Sequence, residues 1–257
     1  MSQLRYLSDS AKKKYLKKLN KFYKYDDSVL QAMEKYTIYE HKYIDGVEKI
    51  DNNMREKLYD LTDRTTKFLE KHNIVYWLDS GTLLGAMRNH KMIEWDDDVD
   101  IGIPYDSYIQ LEDLIKTFDY ESEPQKKEIY YIDQEYKIKF RIFQSDPDKG
   151  LFKDISFLIK TYLFEDNSVF VDLLVYIKKN NKYITNSIGW QNTFIYEIDD
   201  IYPLKKIKFG YGKYYIVKNP INYLNTGYWF WKHLGVASHA HFKYLKKTRN
   251  RNNYFLL

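Results

Sequence analysis

The chain contains no cysteine. Disulfides, thiolate nucleophiles and zinc–thiolate centres are therefore excluded, and the absence agrees with a reducing compartment. Apolar runs of about 18 residues, the length that spans a bilayer, are also missing, so no transmembrane segment is expected. The N-terminal stretch MSQLRYLSDSAKKKYLKKLNKFYKY is basic but has no apolar signal-peptide core, which points to a cytoplasmic location. A strong charge of one sign is lacking too. Against 41 basic residues stand 36 acidic ones, a net of +5. That balance is mild, and nucleic acid is not the expected partner. The abundance of lysine and of 27 tyrosines reads as the codon bias of an AT-rich genome.

What is present suits a globular protein. At 257 residues, 44% of them hydrophobic, the chain can bury a real core. The first 45 residues are charged and aromatic and read as a helical extension with a solvated face. Val47, Ile50, Met54, Leu58, Leu61, Thr65 and Phe68 then recur at three- and four-residue steps, one face of a long amphipathic helix that stops near Asn73. Short strands are expected at Ile74–Leu78 and Val99–Ile103, with a short helix through Thr82–Arg88 and another from Tyr105 to Phe118. Tyr136–Phe143 alternates cleanly, Ile138, Phe140 and Ile142 against Lys137, Lys139 and Arg141. Phe157–Phe164 and Val169–Ile177 are further strands, Lys205–Val217 a hairpin, and Asn225–Leu245 a candidate helix. The expected class is α+β, a mixed sheet with packed helices. The expected domains are an extension over 1–45, a catalytic domain over 46–235 and a basic tail over 236–257.

Chemistry concentrates in WDDDVD. Glu94, Asp96, Asp97, Asp98 and Asp100 crowd one short stretch that runs straight into an apolar strand. Residues two apart on a strand share a side, so Asp98 and Asp100 project together, with Asp96 extending the row. Carboxylates this close repel unless a cation neutralises them, and oxygen ligands suit Mg2+ or Mn2+. The spacing does not make a calcium loop: its sixth position is Ile101 and its twelfth is Ser107. A further carboxylate, Asp172, sits inside the apolar run FVDLLVY and needs a partner there. If the two strands are neighbours, three carboxylates converge, as metal-assisted phosphoryl transfer uses them. Upstream, Asp79-Ser80-Gly81-Thr82 joins a strand to a helix, where amides and hydroxyls suit a phosphate.

DSGTLLGAMRNHKMIEWDDDVDIGIP, Asp79–Pro104, resembles the signature of the LicD/fukutin family. The resemblance runs from about Met54 to Trp231 and includes KFRIF, FVDLLVY and the stretch from Tyr202 to Trp229. Lys91 and Glu94 stand where the family usually has glycine and proline. The resemblance implies a nucleotidyltransferase-like fold and a transferase that moves phosphocholine, ribitol phosphate or a similar group. The implied donor is CDP-linked, the acceptor is a glycan hydroxyl, and CMP is released. It implies Asp98 and Asp100 as a metal-binding pair, Asp172 as third ligand or base, and Ser80, Gly81 and Thr82 as the phosphate-contacting turn. Asp79, Asp96 and Asp97 match supporting acidic positions. Arg141, on the polar face of its strand, is a candidate donor-phosphate contact; Arg88, His90 and Lys91 are further candidates. The rival readings are a nucleotidyltransferase that releases pyrophosphate and a non-catalytic glycan- or partner-binding protein.

Overall fold

A computed structural model of the chain describes residues 49–117, 128–144, 157–187 and 194–228, the stretches 38–39, 121–123, 234–238 and 252–256, and positions 8, 10, 13, 14 and 17. The expected N-terminal extension lies for the most part outside the described residues. Two compact units are present: residues 50–223, and residues 1–49 together with 224–257. In the second, β1 (Ile38–Tyr39) pairs in parallel with β14 (Asn252–Leu256), which pairs antiparallel with β13 (Leu234–Ser238). Part of the candidate helix Asn225–Leu245 is thus strand. Gly235 disfavours helix, Val236 favours extended backbone, and pairing with β14 satisfies it. Helix α5 spans Pro220–Gly227.

The first unit is α+β, with helices packed on a mixed sheet. Helix α1 (Asn52–Lys71) starts at Asp51, whose carboxylate accepts from the Met54 N–H at 2.7 Å. Its buried face holds the expected Leu58, Leu61, Thr65 and Phe68 and widens to Tyr59, Thr62, Thr66 and Leu69. It ends where Asn73 turns left-handed at φ 56°. The first strand is shorter than expected, only β2 (Trp77–Leu78). Helix α2 (Ser80–Asn89), strand β3 (Val99–Pro104) and helix α3 (Tyr105–Lys116) follow near their expected bounds.

The remaining strands are β4 (Glu121–Glu123), β5 (Glu128–Asp133), β6 (Ile138–Gln144), β7 (Phe157–Leu163), β8 (Asp166–Lys179), β9 (Lys182–Thr185) and β10 (Ile195–Glu197). They pair antiparallel in the order β10-β9-β8-β7-β6-β5-β4. Strand β3 adds to β8 in parallel, and β2 adds to β3. A short helix α4 (Ile198–Ile201) precedes the hairpin β11 (Lys205–Phe209) and β12 (Gly212–Ile216).

Alternation gives the sheet two unlike faces. Ile138, Phe140, Ile142, Ile159, Thr161, Val171 and Leu173 are buried on the face that α1 and α3 cover, where Phe68 meets Phe140 at 4.9 Å, the Thr65 and Thr161 hydroxyls are hydrogen-bonded at 3.0 Å and Tyr108 meets Phe157 at 4.4 Å. The opposite face carries Arg141, Lys160, Asp172 and Asp100. Among the described residues, no helix is long and apolar enough to cross a membrane.

Candidate active site

Register builds the site. Asp100 on β3 lies opposite Asp172 on β8, Asp172 opposite Lys160 on β7, and Lys160 opposite Arg141 on β6. Directly paired residues point to one side of a sheet, so these four side chains form a single row across four strands. Asp98 joins it from the approach to β3. One oxygen from each of Asp98, Asp100 and Asp172 lies within 4.8 Å of the others, and all three residues are partly buried. Asp96, Asp97 and Asp98 form a second such group, of which Asp97 is exposed.

The backbone around α2 delivers the acidic loop. Gly85 lets the Lys91–Ile93 segment cross the helix: a Cβ there would lie 2.5 Å from the Lys91 carbonyl oxygen. The loop then returns Asp96 to the N-terminus of α2, where a Cβ on Gly81 would stand 2.8 Å from its carboxylate. Thr82 Oγ1 accepts from the Asp100 N–H at 2.9 Å, and the Asp79 N–H donates to the Asp100 carbonyl at 3.1 Å. The Ser80–Thr82 turn and the carboxylate row are thereby bonded together. The left-handed residue of this turn is Ser80, at φ 44°, rather than its glycine neighbour. Ser80 is 4% exposed, and its hydroxyl has no hydrogen-bond partner.

Electrostatics set two kinds of carboxylate apart. Asp79, fully buried, caps α2: its Oδ1 accepts from the Ser80 N–H at 2.8 Å and from the Tyr196 hydroxyl at 2.7 Å. Its Oδ2 accepts from the Tyr176 hydroxyl at 2.6 Å. Burial pushes its proton affinity up, and these donors draw it back. Burial, then the neighbouring Asp172 and Asp97, raises Asp98 to about 6. Burial and Asp98 hold Asp100 well above the carboxylate range, and burial with Asp98 and Asp97 does the same to Asp96. Asp172 is raised by burial and pulled back by Lys160, whose ammonium lies 2.9 Å from Oδ1 and donates to Oδ2 at 3.2 Å. Oδ1 is not aligned for a hydrogen bond and has no hydrogen-bond partner. Partly buried oxygens with one cation among them are a ligand set that could hold Mg2+ or Mn2+.

Not every candidate joins this cluster. Arg88 sits in the last turn of α2, about 12 Å along the helix from Ser80 at 1.5 Å per residue. Lys91 is exposed and pairs with Glu94 at 3.9 Å. His90 caps the C-terminus of α2 in a left-handed conformation. Arg141 stands in the row, its guanidinium 6.0 Å from the Tyr130 ring centre. The sequence reading missed Lys160, although its place in the alternating FLIKTYL was a usable signal. It also missed Tyr176 and Tyr196 as donors to Asp79; they lie 97 and 117 residues away, and no local pattern marks them.

The sequence profile described as "LicD/FKTN/FKRP, nucleotidyltransferase domain" matches residues 73–216. An uncharacterised protein of Rickettsia prowazekii is 31% identical over 206 residues, 79% of this chain and 65% of that protein. A Rickettsia typhi protein is 30% identical over 75% of this chain and 52% of its own length. The chain therefore spans between about half and two thirds of these two curated relatives. Over 45 residues it is 42% identical to the lipopolysaccharide cholinephosphotransferase LicD of Haemophilus influenzae, 18% of this chain and 17% of that one. Over 35 residues it is 54% identical to the ribitol 5-phosphate transferase FKRP of Homo sapiens, 14% of this chain and 7% of that one.

Proposed function

The chain belongs to the LicD/FKTN/FKRP family, and on that premise we propose that it transfers a phospho-linked group from a CDP-activated donor to a glycan hydroxyl. Phosphocholine and ribitol phosphate are the group types that two relatives' names carry. The observation that carries the reading is the convergence of Asp98, Asp100 and Asp172 beside the N-terminus of α2. These three residues would hold Mg2+ or Mn2+, which would neutralise phosphate charge and orient the donor.

The chain's own groups do the rest. The Ser80 hydroxyl and the amides of Gly81 and Thr82 receive phosphate oxygens, a role that fits a buried hydroxyl with no other partner. Arg141, on the same face, adds positive charge beyond the carboxylates. Asp172 Oδ1, without a hydrogen-bond partner, accepts the proton of the acceptor hydroxyl. The oxygen of the acceptor hydroxyl, having lost its proton, bonds to the distal phosphorus as the phosphorus–oxygen bond to CMP breaks, and CMP leaves with the bonding pair. A phosphodiester results.

The test is a panel of CDP-linked choline, ribitol and glycerol donors with Mg2+ or Mn2+, scored for CMP release with and without glycans. The wild type releases CMP from at least one donor, and Asp98→Ala and Asp100→Ala do not. Full activity in either variant contradicts the assignment. Pyrophosphate released from a nucleoside triphosphate in place of CMP identifies a nucleotidyltransferase.

A further inference from the structure

The row of charges across these four strands is not purely acidic, and its cations sit in a telling order. Lys160 is 19% exposed at its side chain, and Asp172 is its ion partner among the described residues. The ammonium also lies 3.3 Å from the centre of the Phe170 ring, two residues before Asp172 on the same strand face. It is therefore held between a carboxylate and an aromatic face, with Arg141 on the next rung away from the acids. Adjacent rungs are about 4.8 Å apart, within the span of a diphosphate.

We propose that Lys160 is a built-in counter-ion that holds the Asp172 carboxylate when no metal is bound. It exchanges that partner for a phosphate oxygen of the donor when a divalent ion enters. The inference rests on the metal site described above and adds a specific coupling: metal binding frees Lys160, and the freed ammonium joins Arg141 in binding the diphosphate. Three features favour exchange over a permanent ion pair. The contact to Asp172 includes one aligned hydrogen bond, at 3.2 Å, so donors remain on the ammonium. The stem is a flexible lysine, not the rigid fork of arginine. The Phe170 ring gives the cation a second surface to rest on as it lets Asp172 go.

The coupling predicts opposite signs in two binding measurements on the full chain. Removing the ammonium takes a competing positive charge from the metal site, so Lys160→Met binds Mn2+ alone at least about threefold more tightly than wild type. With Mn2+ saturating, the same variant binds CDP about tenfold more weakly, the cost of one charge-assisted contact. Lys160→Arg keeps the charge and binds CDP more tightly than the neutral variants. Lys160→Gln serves as a second neutral variant should the methionine substitution impair folding, which circular dichroism reads directly. Weaker Mn2+ binding in the neutral variants marks a merely structural ion pair and overturns the proposal. CDP binding within twofold of wild type overturns it equally. A wild-type chain that binds no Mn2+ is a different failure, one that removes the metal reading beneath it.

Discussion

Two groups of carboxylate flank strand β3, and the fold treats them in opposite ways. Asp79 is fully buried yet receives donors from two tyrosine hydroxyls and a backbone amide. One oxygen from each of Asp98, Asp100 and Asp172 lies within 4.8 Å of the others, and of the three only Asp172 meets the ammonium of Lys160. A core that brings residues 97 and 117 positions away to satisfy one acid leaves the neighbouring trio frustrated. A satisfied buried carboxylate is architecture; a repelling, partly exposed cluster is where the proposed cation would sit.

The contrast breaks if substitutions at the two places act alike. The largest expected effect is on turnover: Asp100→Asn lowers CMP release by more than about a thousandfold, some 4 kcal/mol of barrier. The same variant leaves the stability of the metal-free chain unchanged or higher, because like-charge repulsion is relieved. Asp79→Ala does the reverse to stability. It strands two buried hydroxyls and removes a helix cap, and should lower unfolding free energy by about 3–5 kcal/mol in urea.

A pH series sharpens the same point. In the metal-free fold Asp98 is raised to about 6, so between about pH 4 and 6 the folded state holds more protons than the unfolded one. Stability contributed by this group is therefore fullest below about pH 4 and is lost as pH rises through 6. Mn2+ should flatten that slope, and Asp98→Asn should remove part of it. Urea midpoints across pH, with and without Mn2+, read both effects.

The smallest effects concern the turn that joins the two groups. Ser80→Gly relieves the left-handed backbone and should raise stability by about 0.5–1 kcal/mol, while weakening CDP binding through the lost hydroxyl. Ser80→Ala keeps the strain, so it should weaken CDP binding to a similar degree with no gain in the urea midpoint.

Much of this was legible in the sequence because its signals are local. The 3.6-residue rhythm from Leu58 to Phe68, the alternation through Ile138–Ile142 and the acidic run into Val99 each report their own element. The placement of Asp172 beside Asp100 was conditional on strand pairing, and the register supplies that condition. What stayed hidden depends on distant partners. Asp79 read as one more acid of the motif, since nothing near it announces Tyr176 or Tyr196. Arg88 is close to the acids along the chain, but α2 carries its backbone to the far end of the helix, while Lys91 lies past that end and pairs with Glu94. The strand at Leu234–Ser238 owes its form to pairing with β14, which an aromatic-rich composition does not reveal.

The central claim is that the Asp98–Asp100–Asp172 trio is a divalent-cation site. Calorimetric titration of the full chain with Mn2+ tests it most directly, comparing wild type with Asp100→Asn. The account predicts saturable binding in the wild type and its loss in a variant that melts no lower than wild type. Equal Mn2+ affinity in the two proteins would contradict it.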